Sequence, residues 1–587
     1  MKHIVRAILT TTFLAPVSML VLSAQSASPF PTGSAAAALH GCGTVLFNDS
    51  ALEARAAANT AARNPAVYRA MLERSRSKGP GRTVLGGDDE FNQFFMLNRV
   101  SEQFDQISAK LIYKGRRARI WIDLQDTLRV KASTVAALAR GLDSATAAGS
   151  RDPGKGIIEN DEDVFGLPPA NRFDAATPNM EDFLLTDIQD GLTGGNVLGY
   201  FSPYDQTDNP GSNQMNILYI DSREGIGTQN AGAIAGLVST LAHEYQHLIH
   251  FRYNPNSETF FNEGCSEAAS TICGYNDRHN TLYLTASNIP LLRWSNNSDF
   301  NSLEVDYERA MTFVRYNYEQ FGETFLKKFV TTQSTGMNRI ASALTQIGSS
   351  VTWQNMLKGY MVANYVRKSF SDPQYTYRLA LSSTFAHVTN SYNGTFPATG
   401  QVTLQQYAPA YNYYNFTKQQ GMTIRFNGPQ SFKVMALLYR SGTLLEIREL
   451  TPNQPNTIEA NPGYSRMVFV ICNLHPSSQT VTWNVESIAS GVEDVSGAAG
   501  ALEIAGVSPN PASGPIHVTY RAPEHGAVTM RLFDLQGRVL RTLVDAEPFA
   551  GGLREMTFDT GALPGGVYML RLEQSRHAAS RAVLLVH

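Results

Sequence analysis

The 587-residue sequence predicts a multidomain chain, an α+β domain followed by two small β-sandwich domains. Three observations carry this. From Phe91 to Arg378, β-rich runs give way to long stretches with helical periodicity. From Thr423 onward, apolar and polar residues alternate with period two, as in half-buried strands. A segment rich in Gly, Ala and Ser, Ser490 to Gly506, separates two such strand regions. The expected layout is a signal peptide (1–27), a leader or pro-segment (28–87), an α+β domain (88–402), a β-sandwich (403–489), a linker (490–506) and a final β-domain (507–587).

Composition bounds the function. Hydrophobic residues make up 43% and charged residues 17%, which suits globular domains with real cores. A net charge of −3 gives no bulk electrostatic ground for binding nucleic acid or an anionic membrane. The four cysteines, Cys42, Cys265, Cys273 and Cys472, are too few for a disulfide scaffold. Cys265 and Cys273 fall about 12 Å apart on one helix, too far to bridge. Pairing with Cys42 or Cys472 stays open.

Met1 to about Ala27 reads as a signal peptide: Lys2, His3 and Arg6, then apolar Ala7 to Leu22, then small residues. Export to the cell surface or medium is the expectation. No other run is long and apolar enough to span a bilayer, so no transmembrane helix is expected in the mature chain. Asp49 to Ser75 reads as helix. Phe91–Leu97, Ile107–Lys114 and Ala118–Asp123 read as strands, with a turn at Lys114-Gly-Arg-Arg. Leu128 to Leu142 reads as helix and Asp152 to Arg172 as a polar loop. Asn196–Phe201 and Met215–Ile220 read as strands. Acidic loops at Asp161-Glu162-Asp163 and Asp205 to Asp208 leave a calcium site open, with a solvated loop favoured because no full ligand spacing is present.

The segment Ala231 to Phe251 holds the chemistry. Ala231 to Ala242 has no charge and reads as a buried helix, into which His243, Glu244 and His247 fall. A buried charge without a partner costs on the order of several kcal/mol, so these groups need one. His243 and His247, at i and i+4, share a helix face. Two such imidazoles suit Zn²⁺ in a tetrahedral site, and Glu244 reaches a water there. Downstream, Glu263 is the candidate third ligand, with Glu258 or Glu267 as alternatives. Glu267 suits a hydrogen bond to a ligand histidine. His250 falls off the metal face and reads as a packed helix histidine. Cys265 reads as packing.

His-Glu-x-x-His followed by Asn-Glu-x-x-Ser-Glu resembles the gluzincin clan of zinc peptidases. The fuller strings His243-Glu-Tyr-Gln-His-Leu-Ile-His-Phe and Phe261-Asn-Glu-Gly-Cys-Ser-Glu look like its hyicolysin-type members. The resemblance implies a gluzincin-like α+β zinc peptidase domain, with His243, His247 and Glu263 as ligands and Glu244 as general base. It also makes Tyr307 the candidate for stabilising the oxyanion, against a reading as a core aromatic. A sheet over the zinc helix is implied, whose edge strand holds an extended protein or peptide substrate. The metzincins fit poorly, because His250 and Tyr253 stand where they need Gly and His.

Past Ser270 the chain reads as mostly helical to Arg378. The Tyr-rich run Leu404 to Phe416 reads as a packed inter-domain seam in preference to a glycan-binding surface. Met435–Tyr439, Leu445–Leu450, Met467–Cys472 and Val481–Val485 read as sandwich strands. The last 80 or so residues, with Leu532-Phe-Asp-Leu-Gln-Gly-Arg and Leu563-Pro-Gly-Gly-Val-Tyr-Met-Leu, resemble the C-terminal sorting domain of the type IX secretion system. That resemblance makes the secretion machinery a partner. The expected function is that of a secreted zinc-dependent endopeptidase. The rival is a surface adhesin or binding protein with a non-catalytic metal site.

Overall fold

The structure is a computed structural model that describes residues 39–586, apart from 78–81, 84–89, 172–177, 193–194, 276–281, 296–299, 368–369, 379–387, 394–397, 416–420, 430, 459–463, 489–501, 523–525, 550–551, 561–562 and 576. The signal-peptide stretch and most of the 490–506 linker lie outside the described residues. The chain divides into two units, Met1–His387 and Val388–His587.

The first unit is built on a mixed eight-stranded sheet, ordered Leu39–Cys42, Gly195–Phe201, Ile217–Asp221, Glu181–Thr186, Ala118–Asp123, Gln103–Lys114, Phe91–Asn98, Arg82–Thr83. Successive side chains point to opposite faces. On one face Tyr200 and Tyr219 stack at 4.4 Å and join a core with Phe94, Trp121, Phe47, Leu52, Ala56 and Met71. The helices Ser50–Arg63 and Pro65–Ser77 contribute those last residues, so they cover this face. The other face meets the helix Ala231–Tyr253. At Gly199 a Cβ would lie 3.0 Å from Thr240 Cγ2 and 2.9 Å from the Tyr219 carbonyl oxygen. The missing side chain therefore lets helix and sheet close up.

In this unit one expectation fails and one element goes unread, for the same reason. Asp152 to Arg172 is not all loop: Ile157–Phe165 is a helix, with Asp161 and Glu162 buried. Glu162 is held by the Arg117 guanidinium and by the Tyr245 hydroxyl at 2.9 Å. Glu181–Thr186 is a central strand that the sequence did not announce. Its Asp182 is fully buried because Arg119 and the Trp121 indole bind it, at 2.6 and 2.7 Å. Paired charges in a core look like a solvated loop when read one at a time.

In the second unit, a four-stranded sheet (Ala398–Leu404, Gln479–Ile488, Gly421–Asn427, Asn456–Ile458) and a five-stranded sheet (Thr443–Leu450, Phe432–Arg440, Arg466–Asn473, Pro409–Asn415, Asn390–Asn393) share one core. Phe426, Phe469, Trp483 and Met422 fill it. The Tyr-rich run is one of its strands. Of its tyrosines, Tyr414 is buried in this core and stacks on Tyr392 at 4.6 Å, so that one belongs to the sandwich's own interior. Farther on, Glu503–Ser508, Ile516–Ala522 and Gly552–Phe558 form one sheet. Val539–Phe549, Gly526–Phe533, Gly566–Gln574 and His577–Leu585 form another, around a core that includes Ile516, Met530 and Leu570. The protein is thus multidomain, a mixed helix-and-sheet unit followed by β-rich units.

All four cysteines are buried and free. Among the described residues no helix is long and apolar enough to cross a membrane.

Candidate metal centre

The helix Ala231–Tyr253 begins at Asn230, whose side chain accepts from Ala233 N and so satisfies one of the first-turn donors. It ends at Asn254, whose N–H returns to His250 O at 2.8 Å. From Leu237 to His250 every residue is buried. His243 and His247 are therefore shielded from bulk solvent. Their Nε2 atoms lie 3.2 Å apart.

The helix Thr259–Ile272 supplies the carboxylates. It packs against both Ala231–Tyr253 and Phe300–Thr331, and Gly264 sets its depth. A Cβ there would lie 2.7 Å from Val314 Cγ2 and 2.8 Å from Ala310 O. At that depth Glu263 Oε2 stands 3.3 Å from His243 Nε2 and 3.4 Å from His247 Nε2. One turn on, Glu267 Oε1 lies 3.1 Å from His243 Nδ1. Glu258 points elsewhere, to Arg339 and the Gly336 amide.

Both imidazoles are oriented from behind. His243 Nδ1 faces Glu267. His247 Nδ1 faces Asn262 Oδ1 and Ser266 Oγ, each at 3.1 Å. Acceptors at Nδ1 fix the tautomer and aim each Nε2 at the common centre, as in metal-ligating histidines. The sequence reading quoted Asn262 and Ser266 in the motif but gave them no role. Ser266 follows Glu263 by three residues and Asn262 by four, and that helical spacing carries the signal.

Glu244 lies beside the cluster, its Oε2 3.6 Å from Cys42 Sγ. Its Oε2 accepts from Phe201 N at 3.1 Å and from Thr44 Oγ1 at 2.8 Å, while its buried Oε1 has no hydrogen-bond partner among the described residues. Tyr307 is buried, its ring edge-on to Trp294 at 5.1 Å and 6.5 Å from the His243 ring. Burial, with Glu263 and Cys42 close by, holds its phenol well above the usual range, so it stays a neutral donor. His250 is buried off the cluster, beside Gln246 at 3.5 Å, and burial keeps it neutral.

Cys42, the last residue of the strand Leu39–Cys42, joins the cluster. The disulfide left open for it in the sequence is not formed, and the thiol is free. Its Sγ is 3.4 Å from His247 Nε2 and 3.6 Å from Glu244 Oε2. One donor atom each from Cys42, His243, His247 and Glu263 all lie within 4.8 Å of one another.

The donor set fits a divalent metal ion. Both oxygens of Glu263 are buried without a well-formed hydrogen bond among the described residues, though two imidazoles stand beside them. Groups that converge on a point without bonding one another are arranged for something at that point. Burial alone would raise the Glu263 pKa, but the nearby His247 and His243 outweigh it and hold the carboxylate ionised. Imidazole, carboxylate and thiol together suit zinc better than calcium.

The acidic stretches first weighed for calcium do not form such a group. Asp163 pairs with Arg151 and Lys155, and Asp205 accepts from Tyr219 at 2.7 Å. Among the described residues, the only other group of three ligand-capable side chains is Asp187, Asp221 and Glu224, which is partly exposed.

Residues 506–585 match the secretion system C-terminal sorting domain family. That tail belongs to export across the cell envelope. Over 164 residues, 27% of this chain, the sequence is 27% identical to the Neutral metalloprotease ShpI of Staphylococcus hyicus. The chain spans about a third of that relative's length, 33%. Similar solved structures include a periplasmic lysozyme inhibitor, PliG of Salmonella Typhimurium. It is 9% identical with TM-score 0.14, covering 17% of this chain and 100% of that one. Another is a beta-glucuronidase of Faecalibacterium prausnitzii, 12% identical with TM-score 0.12, covering 32% and 36%. Likeness at that level identifies neither fold nor function.

Proposed function

We propose that the chain is a secreted, zinc-dependent endopeptidase of hyicolysin type, with a gluzincin-like catalytic domain. The convergence of the His243 and His247 Nε2 atoms with Glu263 Oε2, at 3.2–3.4 Å, carries the reading. The distant likeness to a neutral metalloprotease and the sorting tail support it.

In this reading His243, His247 and Glu263 hold zinc. When bound, zinc polarises the scissile carbonyl and acidifies a water. Glu244 receives the proton of the attacking water and delivers it to the leaving amine. Its carboxylate is aimed by the Phe201 amide. Tyr307 directs its hydroxyl at the oxygen on which negative charge develops. Glu267 and Asn262 keep the imidazoles from turning. Extended peptide binds along the sheet edge formed by Gly195–Phe201, by strand addition.

A casein digest separates this from a binding protein that keeps an inert metal site. Protein from which the residues up to Thr44 have been cleaved should digest casein, lose activity on chelation and regain it with zinc. Glu244→Gln should bind zinc undiminished and cleave nothing. Cleavage that persists in Glu244→Gln contradicts the proposed base.

A further inference from the structure

The sheet edge beside the metal cluster is not open. Leu39–Cys42 adds to Gly195–Phe201 as a parallel strand, with Gly41 opposite Val197 and Cys42 opposite Gly199 across a bulge. Gly43 N then donates to Gly199 O at 2.8 Å. Gly43 is the residue that allows this approach, since a Cβ there would lie 2.5 Å from Val197 Cγ1.

From this strand and the turn after it, three leader atoms meet three groups of the site. Cys42 Sγ enters the cluster of His243, His247 and Glu263. Thr44 Oγ1 donates to Glu244 Oε2 at 2.8 Å. The Cys42 carbonyl oxygen accepts from the Tyr307 hydroxyl at 3.4 Å. Phe47, Leu52 and Ala56, buried in the sheet core, anchor the segment from behind.

We propose that Cys42 is the fourth donor of the metal centre, and that Leu39–Thr44 keeps the enzyme latent until it is displaced. The proposal rests on the metallopeptidase reading above. Two imidazoles, a carboxylate and a thiolate complete a tetrahedral zinc shell, whereas hydrolysis needs one position open to water. A buried cysteine is more often a small apolar filler. That account does not explain this one, whose sulfur faces an imidazole and two carboxylates. Nor does it explain why Thr44 engages the proposed base, or why the Cys42 carbonyl lies where Tyr307 would meet a substrate carbonyl. The leader thus takes the strand position, the carbonyl position and the water position together.

The test uses the untruncated chain, confirmed by intact mass, loaded with cobalt(II) or zinc. Wild type should bind one metal ion and show a thiolate-to-cobalt charge-transfer band in the near ultraviolet. Cys42→Ser and Cys42→Ala should keep the metal and lose the band. With zinc, and without any cleavage of the leader, Cys42→Ala should hydrolyse peptide faster than wild type by about tenfold or more, the loss of one strong ligand from the blocked state. Thr44→Val should add to that gain. One bound cobalt with no thiolate band overturns the latency proposal and leaves the metallopeptidase reading standing. So does an uncleaved wild type as active as Cys42→Ala. No bound metal in any form overturns both.

Discussion

Glu267 Oε1 lies 3.1 Å from His243 Nδ1, so one helix sets the imidazole carried by another. Deleting that contact leaves the proposed zinc ligands in place but lets His243 turn. Glu267→Ala is therefore expected to weaken zinc binding by roughly 10–100-fold, with the fold retained. Competition with a chromophoric chelator measures it. Affinity equal to wild type would mean that the contact positions nothing.

Gly264 controls how deeply Thr259–Ile272 seats against Phe300–Thr331. A methyl group at this position meets Val314 and the Ala310 carbonyl below normal contact distance. Gly264→Ala is expected to cost about 1–3 kcal/mol of stability, as overpacking does. Because Glu263 and Glu267 ride on the same helix, zinc affinity should fall with it. Thermal melts and zinc titration on one sample show whether the two losses occur together.

The site was legible in the sequence where its chemistry sits on neighbouring turns. His243, Glu244 and His247 fall within one five-residue run, and Glu263 with Glu267 repeats the i, i+4 step. Cys42 and Thr44 were not legible, because only a strand pairing formed across the fold brings them to residues some 200 positions away. The helix Ile157–Phe165 and the strand Glu181–Thr186 were missed for another reason. Their acids are core residues whose partners, Arg117, Tyr245 and Arg119, lie elsewhere in the chain.

Glu181 is fully buried, and burial pushes its carboxyl up to about 8, with Asn216 and Arg117 only partly opposing. The folded-state pKa thus lies above the ordinary 4.5. The stability linked to its proton is full below that ordinary value and is lost as pH rises through about 8. Glu181→Gln keeps the neutral shape at every pH. Its unfolding free energy should gain on wild type between pH 5 and 8 and level off above, by on the order of a few kcal/mol. A difference that stays flat with pH would show that Glu181 is ionised in the folded protein.

Arg119 and Asp182 form a wholly buried pair at 2.6 Å. Removing one partner strands the other charge. Arg119→Ala is expected to cost about 3–5 kcal/mol, and replacing both residues by apolar ones of similar volume to recover much of that. Urea denaturation of the single and double variants compares the two. A double variant no better than the single one would mean that the pair's other contacts, such as the Trp121 indole on Asp182, carry the stability.

Zinc titration of the chelator-stripped protein tests the central claim most directly, with wild type beside Glu263→Ala. The account predicts one tight site in wild type, weakened at least about 100-fold in Glu263→Ala while the fold stays intact. A wild-type protein that takes up no zinc, or a Glu263→Ala variant that binds it as tightly, would contradict the assignment of His243, His247 and Glu263 as a metal centre.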